Sequence, residues 1–116
     1  MNRKIYGMLG LAAKSGAIIS GGNSCERALR QHGAPLLVLA QDASENTRDR
    51  FLKLAGNREI RVKIFGTCDE LGKYIGKESR SVLIITDENF AKCLADLMDC
   101  ALRENGGGDI GKNQGL

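Results

Sequence analysis

At 116 residues, 42% of them apolar and 27% charged, the chain has the length of one ordinary domain and a composition that argues against wholesale disorder. No run approaches the roughly 20 apolar residues that span a bilayer. The formal net charge of +3 is unevenly spread. Residues 1 to 58 hold nine Lys/Arg against four Asp/Glu, a balance of +5, while residues 59 to 116 hold eight against ten. The first half is therefore the expected polyanion face. Five aromatic residues and no Trp weaken any scheme built on rows of base-stacking rings.

Ile5, Met8, Leu9 and Ala12 fall at helical spacing, so residues 3 to 14 read as an amphipathic helix stopped by Gly16. Lys14 and that periodicity argue against a secretory leader. Ala17 to Ser20 suit a brief strand, and Gly21-Gly22-Asn23-Ser24 a turn that becomes a helix cap. A second helix, about 23 to 32, places Cys25, Ala28 and Leu29 inward and leaves Arg27 and Arg30 partly outward, with Gly33 and Pro35 ending it.

Leu36 to Ala40 is an unbroken apolar run, the pattern of a strand covered on both faces. Ser44 is the expected cap of a third helix running to about Ala55, with Thr47, Phe51, Leu52 and Ala55 inward and Gly56 closing it. Residues 61 to 65 alternate polar and apolar, as a half-exposed strand near an edge does. Thr67 or Asp69 caps a short fourth helix ending at Gly76. Val82 to Ile85 form another buried strand, and a last helix spans about 88 to 104. Cys93 and Cys100, seven residues apart, read as packing positions on it.

This order predicts an α/β fold: a three-layer α/β/α sandwich with a single mixed four-stranded sheet and helices on both faces. One domain is expected over 1 to 104, followed by a flexible glycine-rich tail over 105 to 116. Cys25, Cys68, Cys93 and Cys100 show no zinc-type spacing with the single His32, so neither a metal nor a cofactor is expected. The expected setting is cytoplasmic, with no membrane partner and with reduced thiols.

The stretch Ser20-Gly-Gly-Asn-Ser-Cys-Glu-Arg27 is the most informative. Two glycines let a partner approach the backbone just where a helix leaves its first N–H groups unpaired, which is an anion-binding geometry. Asn23 both donates and accepts, and Arg27, one turn on, offers a fork to a phosphate or a guanine. A tight turn with an Asn or Ser cap explains the same residues without any ligand. Enzymatic patterns are weaker. Gly7-Met-Leu-Gly10 lies within a helix and lacks nucleotide-fingerprint spacing, and helix capping accounts for Asp42-Ala-Ser44-Glu45.

Five segments in order carry a resemblance: Leu9-Gly-Leu-Ala-Ala-Lys-Ser-Gly16, Ser20-Gly-Gly-Asn23, Leu37-Val-Leu-Ala-Gln-Asp-Ala-Ser-Glu-Asn-Thr47, Glu70-Leu-Gly-Lys-Tyr-Ile-Gly-Lys77 and Ser81-Val-Leu-Ile-Ile-Thr-Asp87. From about Arg3 to Leu102 the chain resembles the kink-turn-binding ribosomal proteins of the L-seven-Ae group, most closely their bacterial YlxQ-type branch. The resemblance implies a non-enzymatic, ribosome-associated RNA-binding protein that presents the start of its second helix to sheared G·A pairs of a bent RNA. It implies one contact surface at Gly21, Gly22, Asn23, Ser24 and Arg27, and a second at the loop Phe65-Gly66-Thr67, with Phe65 covering a base; a phenylalanine ending a strand fits a core position equally well. Lys14 and Arg58 are expected on phosphates near the same end of the sheet.

Ser24 departs from the family pattern, which has a glutamate there. A serine hydroxyl cannot accept two hydrogen bonds from a guanine edge, and Glu26 cannot replace that glutamate from about 200° around the helix. An alternative is a protein-interaction adaptor or ribosome-assembly factor that keeps the fold with weakened RNA affinity. It would use the acidic last segment, where residues 87 to 109 hold six acids, against a basic ribosomal protein.

Overall fold

The computed structural model describes residues 2–106, with side chains over 3–101. The elements follow the expected order: α1 (Asn2–Lys14), β1 (Ile18–Ser20), α2 (Gly22–Gln31), β2 (Leu36–Leu39), α3 (Glu45–Arg58), β3 (Val62–Ile64), α4 (Cys68–Tyr74), β4 (Val82–Ile85) and α5 (Glu88–Gly106). The four strands form one sheet in the order β1-β4-β2-β3. It is mixed: β4 runs antiparallel to both β1 and β2, and β3 lies parallel to β2 at the edge. Most of the glycine-rich tail lies outside the described residues, but α5 carries helix through Gly106, past the expected stop at 104.

Side-chain alternation divides the core into two layers. Leu36, Val38, Leu83 and Ile85 point to one face, where Ile5 and Leu9 of α1 and Leu94, Ala95 and Met98 of α5 cover them. Leu37, Leu39, Val82 and Ile84 point to the other, against Cys25 and Leu29 of α2 and Phe51 and Ala55 of α3. Both central strands are buried at every position, which is why they read as unbroken apolar runs. On β3, Lys63 faces α5 and its ammonium meets the Asp99 carboxylate at 2.5 Å.

Three local expectations fail for identifiable reasons. Gly56 does not close α3: the helix continues to Arg58 and ends at Glu59, which takes the left-handed conformation (φ 55°). Continuing lets the Ile60 N–H reach the Ala55 carbonyl at 2.9 Å and brings Ile60 against the second core layer. Leu52, expected inward, is 40% exposed, because the buried stripe of α3 passes through Phe51 and Ala55. Cys93 is exposed and does not pack, whereas Cys25 is fully buried. Among the described residues, no helix is long and apolar enough to cross a membrane.

Candidate functional site

Strand directions decide which loops meet. Because β1, β2 and β3 are mutually parallel, their carboxyl ends lie together with the start of β4. Backbone bonds stitch this end into one rim: Gly21 N–H to the Val82 carbonyl (3.3 Å), Ala40 N–H to Ser81 (2.9 Å), Gln41 N–H to Gly66 (2.7 Å) and Arg80 N–H to Cys68 (3.0 Å). The amino terminus of α2 stands at one side of the rim, and the Gly66 turn lies three strands away, about 14 Å at ordinary strand spacing.

Gly21 is the residue before α2. Its φ of 93° and ψ of 148° lie in a region that a side chain resists. The expected Asn or Ser cap does not form: no side chain caps α2, and its first bond is Cys25 N–H to the Gly21 carbonyl at 3.0 Å. The N–H groups of Gly22, Asn23 and Ser24 therefore have no acceptor within the helix and carry the positive end of its dipole. Asn23 and Ser24 are exposed beside them, and Arg27 is exposed one turn on. Asn23, Glu26, Arg27, Arg30 and Gln31 line a groove of about 370 Å³ along this outer face of α2. Thus the structure brings together Gly21, Gly22, Asn23, Ser24 and Arg27.

It does not bring the other expected residues to them. Lys14 ends α1 where the chain enters β1, and the bond from Thr86 N–H to the Ala17 carbonyl (2.9 Å) marks that as the opposite end of the sheet. Arg58 ends α3 at that opposite end too, where its guanidinium donates to the Arg30 carbonyl, about 12 Å down α2 from Gly22. Phe65 is buried, its ring 5.5 Å from that of Tyr6, so it is core and covers nothing outside. Gly66 turns the chain at φ 72° against Tyr6 and Leu71, while Thr67 is committed to a capping box: its hydroxyl accepts from Glu70 N–H (3.2 Å) and Glu70 accepts from Thr67 N–H (3.1 Å).

Residues unmarked in the sequence complete the rim. The Arg50 guanidinium, from α3, lies 3.0 Å from where a Cβ on Gly22 would sit, and it is 3.5 Å from the Glu26 carboxylate. Glycine at position 22 thus leaves room for the Arg50 guanidinium as well as starting the helix, and nothing in the sequence singles out Arg50. Arg80 hydrogen-bonds the Ser20 hydroxyl at 3.2 Å, just before the Gly21 turn. Arg48 donates to the Gln41 carbonyl at 3.1 Å and so braces the loop from β2 to α3.

Asp42 and Ser44, the acid and hydroxyl at the end of β2, are taken up by helix ends. Ser44 accepts from Thr47 N–H at 3.2 Å. Asp42 accepts from Cys68 N–H at 2.8 Å, and that backbone bond holds its carboxyl below the usual carboxylate range. His32, the C-cap of α2, stands at the far end of that helix. Burial pushes the Cys25 thiol up to about 12, as expected for an inert packing residue.

The model of the ribosomal protein L7Ae/L30e/S12e/Gadd45 family matches residues 3–95. The RNA-binding protein YlxQ of Bacillus subtilis (strain 168) is 33% identical over 94 residues, covering 81% of this chain and 94% of that protein. YlxQ of Enterococcus faecium is 30% identical over 97 residues, covering 84% and 93%. A solved structure of a protein with unknown function from Bacillus halodurans C superposes with a TM-score of 0.79 at 33% identity, over 83% of this chain and 97% of that one. The Giardia lamblia 15.5kD RNA binding protein superposes with a TM-score of 0.71 over 85% and 88% of the two chains; at 15% identity it speaks for the fold alone. With its α/β/α architecture and an alignment through all four strands, the chain belongs to the ribosomal protein L7Ae/L30e/S12e/Gadd45 family, among the YlxQ-type members.

Proposed function

We propose that this chain is a non-enzymatic, ribosomal-protein-like RNA-binding protein of the cytoplasm, and that it docks a bent internal-loop RNA of the kink-turn kind on the amino terminus of α2. The observation that carries the reading is the uncapped start of α2, with Asn23, Ser24 and Arg27 exposed around it. Three donor amides favour a phosphate or an acceptor edge, Asn23 reads a base from either side, and the Arg27 fork adds charge. Relatives named as RNA-binding proteins support the partner class. With Ser24 in place of glutamate, recognition leans on backbone amides, Asn23 and shape, and less on a carboxylate gripping guanine. The reading leaves Lys14, Arg58 and Phe65 outside the contact surface and assigns the five helices and four strands to a single domain.

The test is a gel-shift titration of a hairpin with a GA·AG internal loop, against a fully paired hairpin, at two salt concentrations. Wild type should prefer the looped RNA in a salt-sensitive way, and Asn23→Ala and Arg27→Ala should each weaken binding by about 1–3 kcal/mol. Equal affinity for both hairpins, untouched by either substitution, would remove the proposal. Recovery of ribosomal proteins from nuclease-treated extract, without RNA binding, would favour an adaptor.

A further inference from the structure

The groove on α2 holds a charge arrangement that the RNA reading does not by itself require. Glu26 stands between two arginines from different helices. Its Oε2 meets Arg30 Nε at 3.0 Å and its Oε1 meets an Arg50 guanidinium nitrogen at 3.5 Å. Glu26 is the least exposed of the three side chains at 26%, against 63% for Arg30 and 46% for Arg50, so both arginines keep much of their surface open to a partner. Asn23, Arg27 and Arg30 follow one another at helical spacing along the same groove. Arg50 leans over Gly22, the first residue of α2.

We propose that Glu26 is an electrostatic latch, which holds Arg30 and Arg50 on the protein surface in the free state and yields both to the phosphates of an RNA strand laid along the α2 groove. This rests on the RNA reading and deepens it, adding Arg50 from α3 and Arg30 from the end of α2 as phosphate contacts and Glu26 as the residue that moderates their affinity. The chemistry suits such an exchange. An exposed ion pair is weakly held, whereas a phosphate offers the guanidinium two oxygens in a matching plane and releases counterions on binding. While the latch is closed, Glu26 also lowers the positive potential over the helix start, disfavouring polyanions that cannot reach both arginines.

The experiment measures binding of the GA·AG hairpin and of the fully paired hairpin across a range of KCl concentrations. It uses the full chain as wild type, Glu26→Gln, Arg50→Gln, Arg30→Gln and the double variant Glu26→Gln/Arg50→Gln, with Asn23→Ala as the reference and Asp96→Asn on α5 as a remote charge control. Circular dichroism confirms that each variant is folded. Arg50→Gln should weaken binding about 3- to 10-fold and flatten the log-log salt slope by about one unit, and Arg30→Gln should act in the same direction. Glu26→Gln should tighten binding about threefold with a steeper slope, and part of that gain should vanish in the double variant because the latch acts through Arg50 as well as Arg30. If wild type binds neither hairpin, the RNA reading itself falls. If wild type binds and Asn23→Ala weakens it, but Glu26→Gln and Arg50→Gln leave affinity and slope unchanged, the latch alone is overturned. A gain from Glu26→Gln that is matched by Asp96→Asn, or kept in full without Arg50, also overturns it.

Discussion

Gly72, in the middle of α4, is where one methyl group should do the most damage for its size. A Cβ built there would lie 1.9 Å from the Glu78 carbonyl oxygen, 2.6 Å from the Glu78 carbonyl carbon and 3.0 Å from the Ser79 Cα. All three are backbone atoms, so no side chain can swing away, and the loop must retreat by more than about 1 Å. That loop is tied down at both ends, by Lys77 N–H on the Gly72 carbonyl (2.8 Å) and Arg80 N–H on the Cys68 carbonyl (3.0 Å). Straining two such bonds and overpacking the contact costs about 3–4 kcal/mol, offset by about 1 kcal/mol from the better helix propensity of alanine. Gly72→Ala should therefore lose about 2–3 kcal/mol. In a urea titration with a slope of about 1.5 kcal/mol/M, the midpoint should fall by about 1.3–2 M. Gly56→Ala is the internal control: Gly56 also lies inside a helix, nothing stands within 4 Å of its Cβ position, and the change should raise stability by up to about 1 kcal/mol. A midpoint for Gly72→Ala at or above that of wild type would refute the close approach of loop and helix.

The buried Cys25 thiol, pushed up to about 12, keeps its proton in the folded state at pH values where the unfolded chain has lost it, so stability falls as pH rises from about 9 to 12. Between pH 8 and 10 this amounts to about 1.4 kcal/mol; urea midpoints under reducing conditions should fall less steeply for Cys25→Ala, and equal slopes for the two proteins would contradict the assignment. Glu59 holds a left-handed conformation at the end of α3, with φ 55°. Glu59→Gly should therefore stabilise by about 0.5–1 kcal/mol in the same titration, and a loss of stability would show that the glutamate side chain contributes more than its backbone strain costs.

The order and identity of all nine elements were legible because the sequence marks them redundantly. Leu36 to Leu39 and Val82 to Ile85 are unbroken apolar runs, and each is buried throughout. Ser44 and Thr67 stand three residues before the amides they accept from, and both caps form. The site was half legible, because Gly21, Gly22 and Asn23 are contiguous and any helix started there would expose them together. Lys14 was misplaced because it precedes β1 while Gly21 follows it, which sets the two at opposite ends of that strand, and Arg58 because its end of the sheet depends on β3 running parallel to β1, which no local pattern reveals. Phe65 was ambiguous because a residue at the end of an expected strand can face either way; here it lies just past β3, with its ring toward Tyr6. Arg50 and Glu26 were missed because each looks like an ordinary charge on a wet helix face, and only the packing of α3 beside α2 sets one guanidinium over Gly22.

The most direct measurement is a residue-resolved amide chemical-shift titration of ¹⁵N-labelled protein with the GA·AG hairpin. The largest changes should fall on Gly21 to Ser24 and on Arg27, with Arg50 moving alongside them and the amides of Lys14 and α5 nearly still. Shifts concentrated on α5, or spread evenly with the start of α2 unmoved, would contradict the placement of RNA at that helix end.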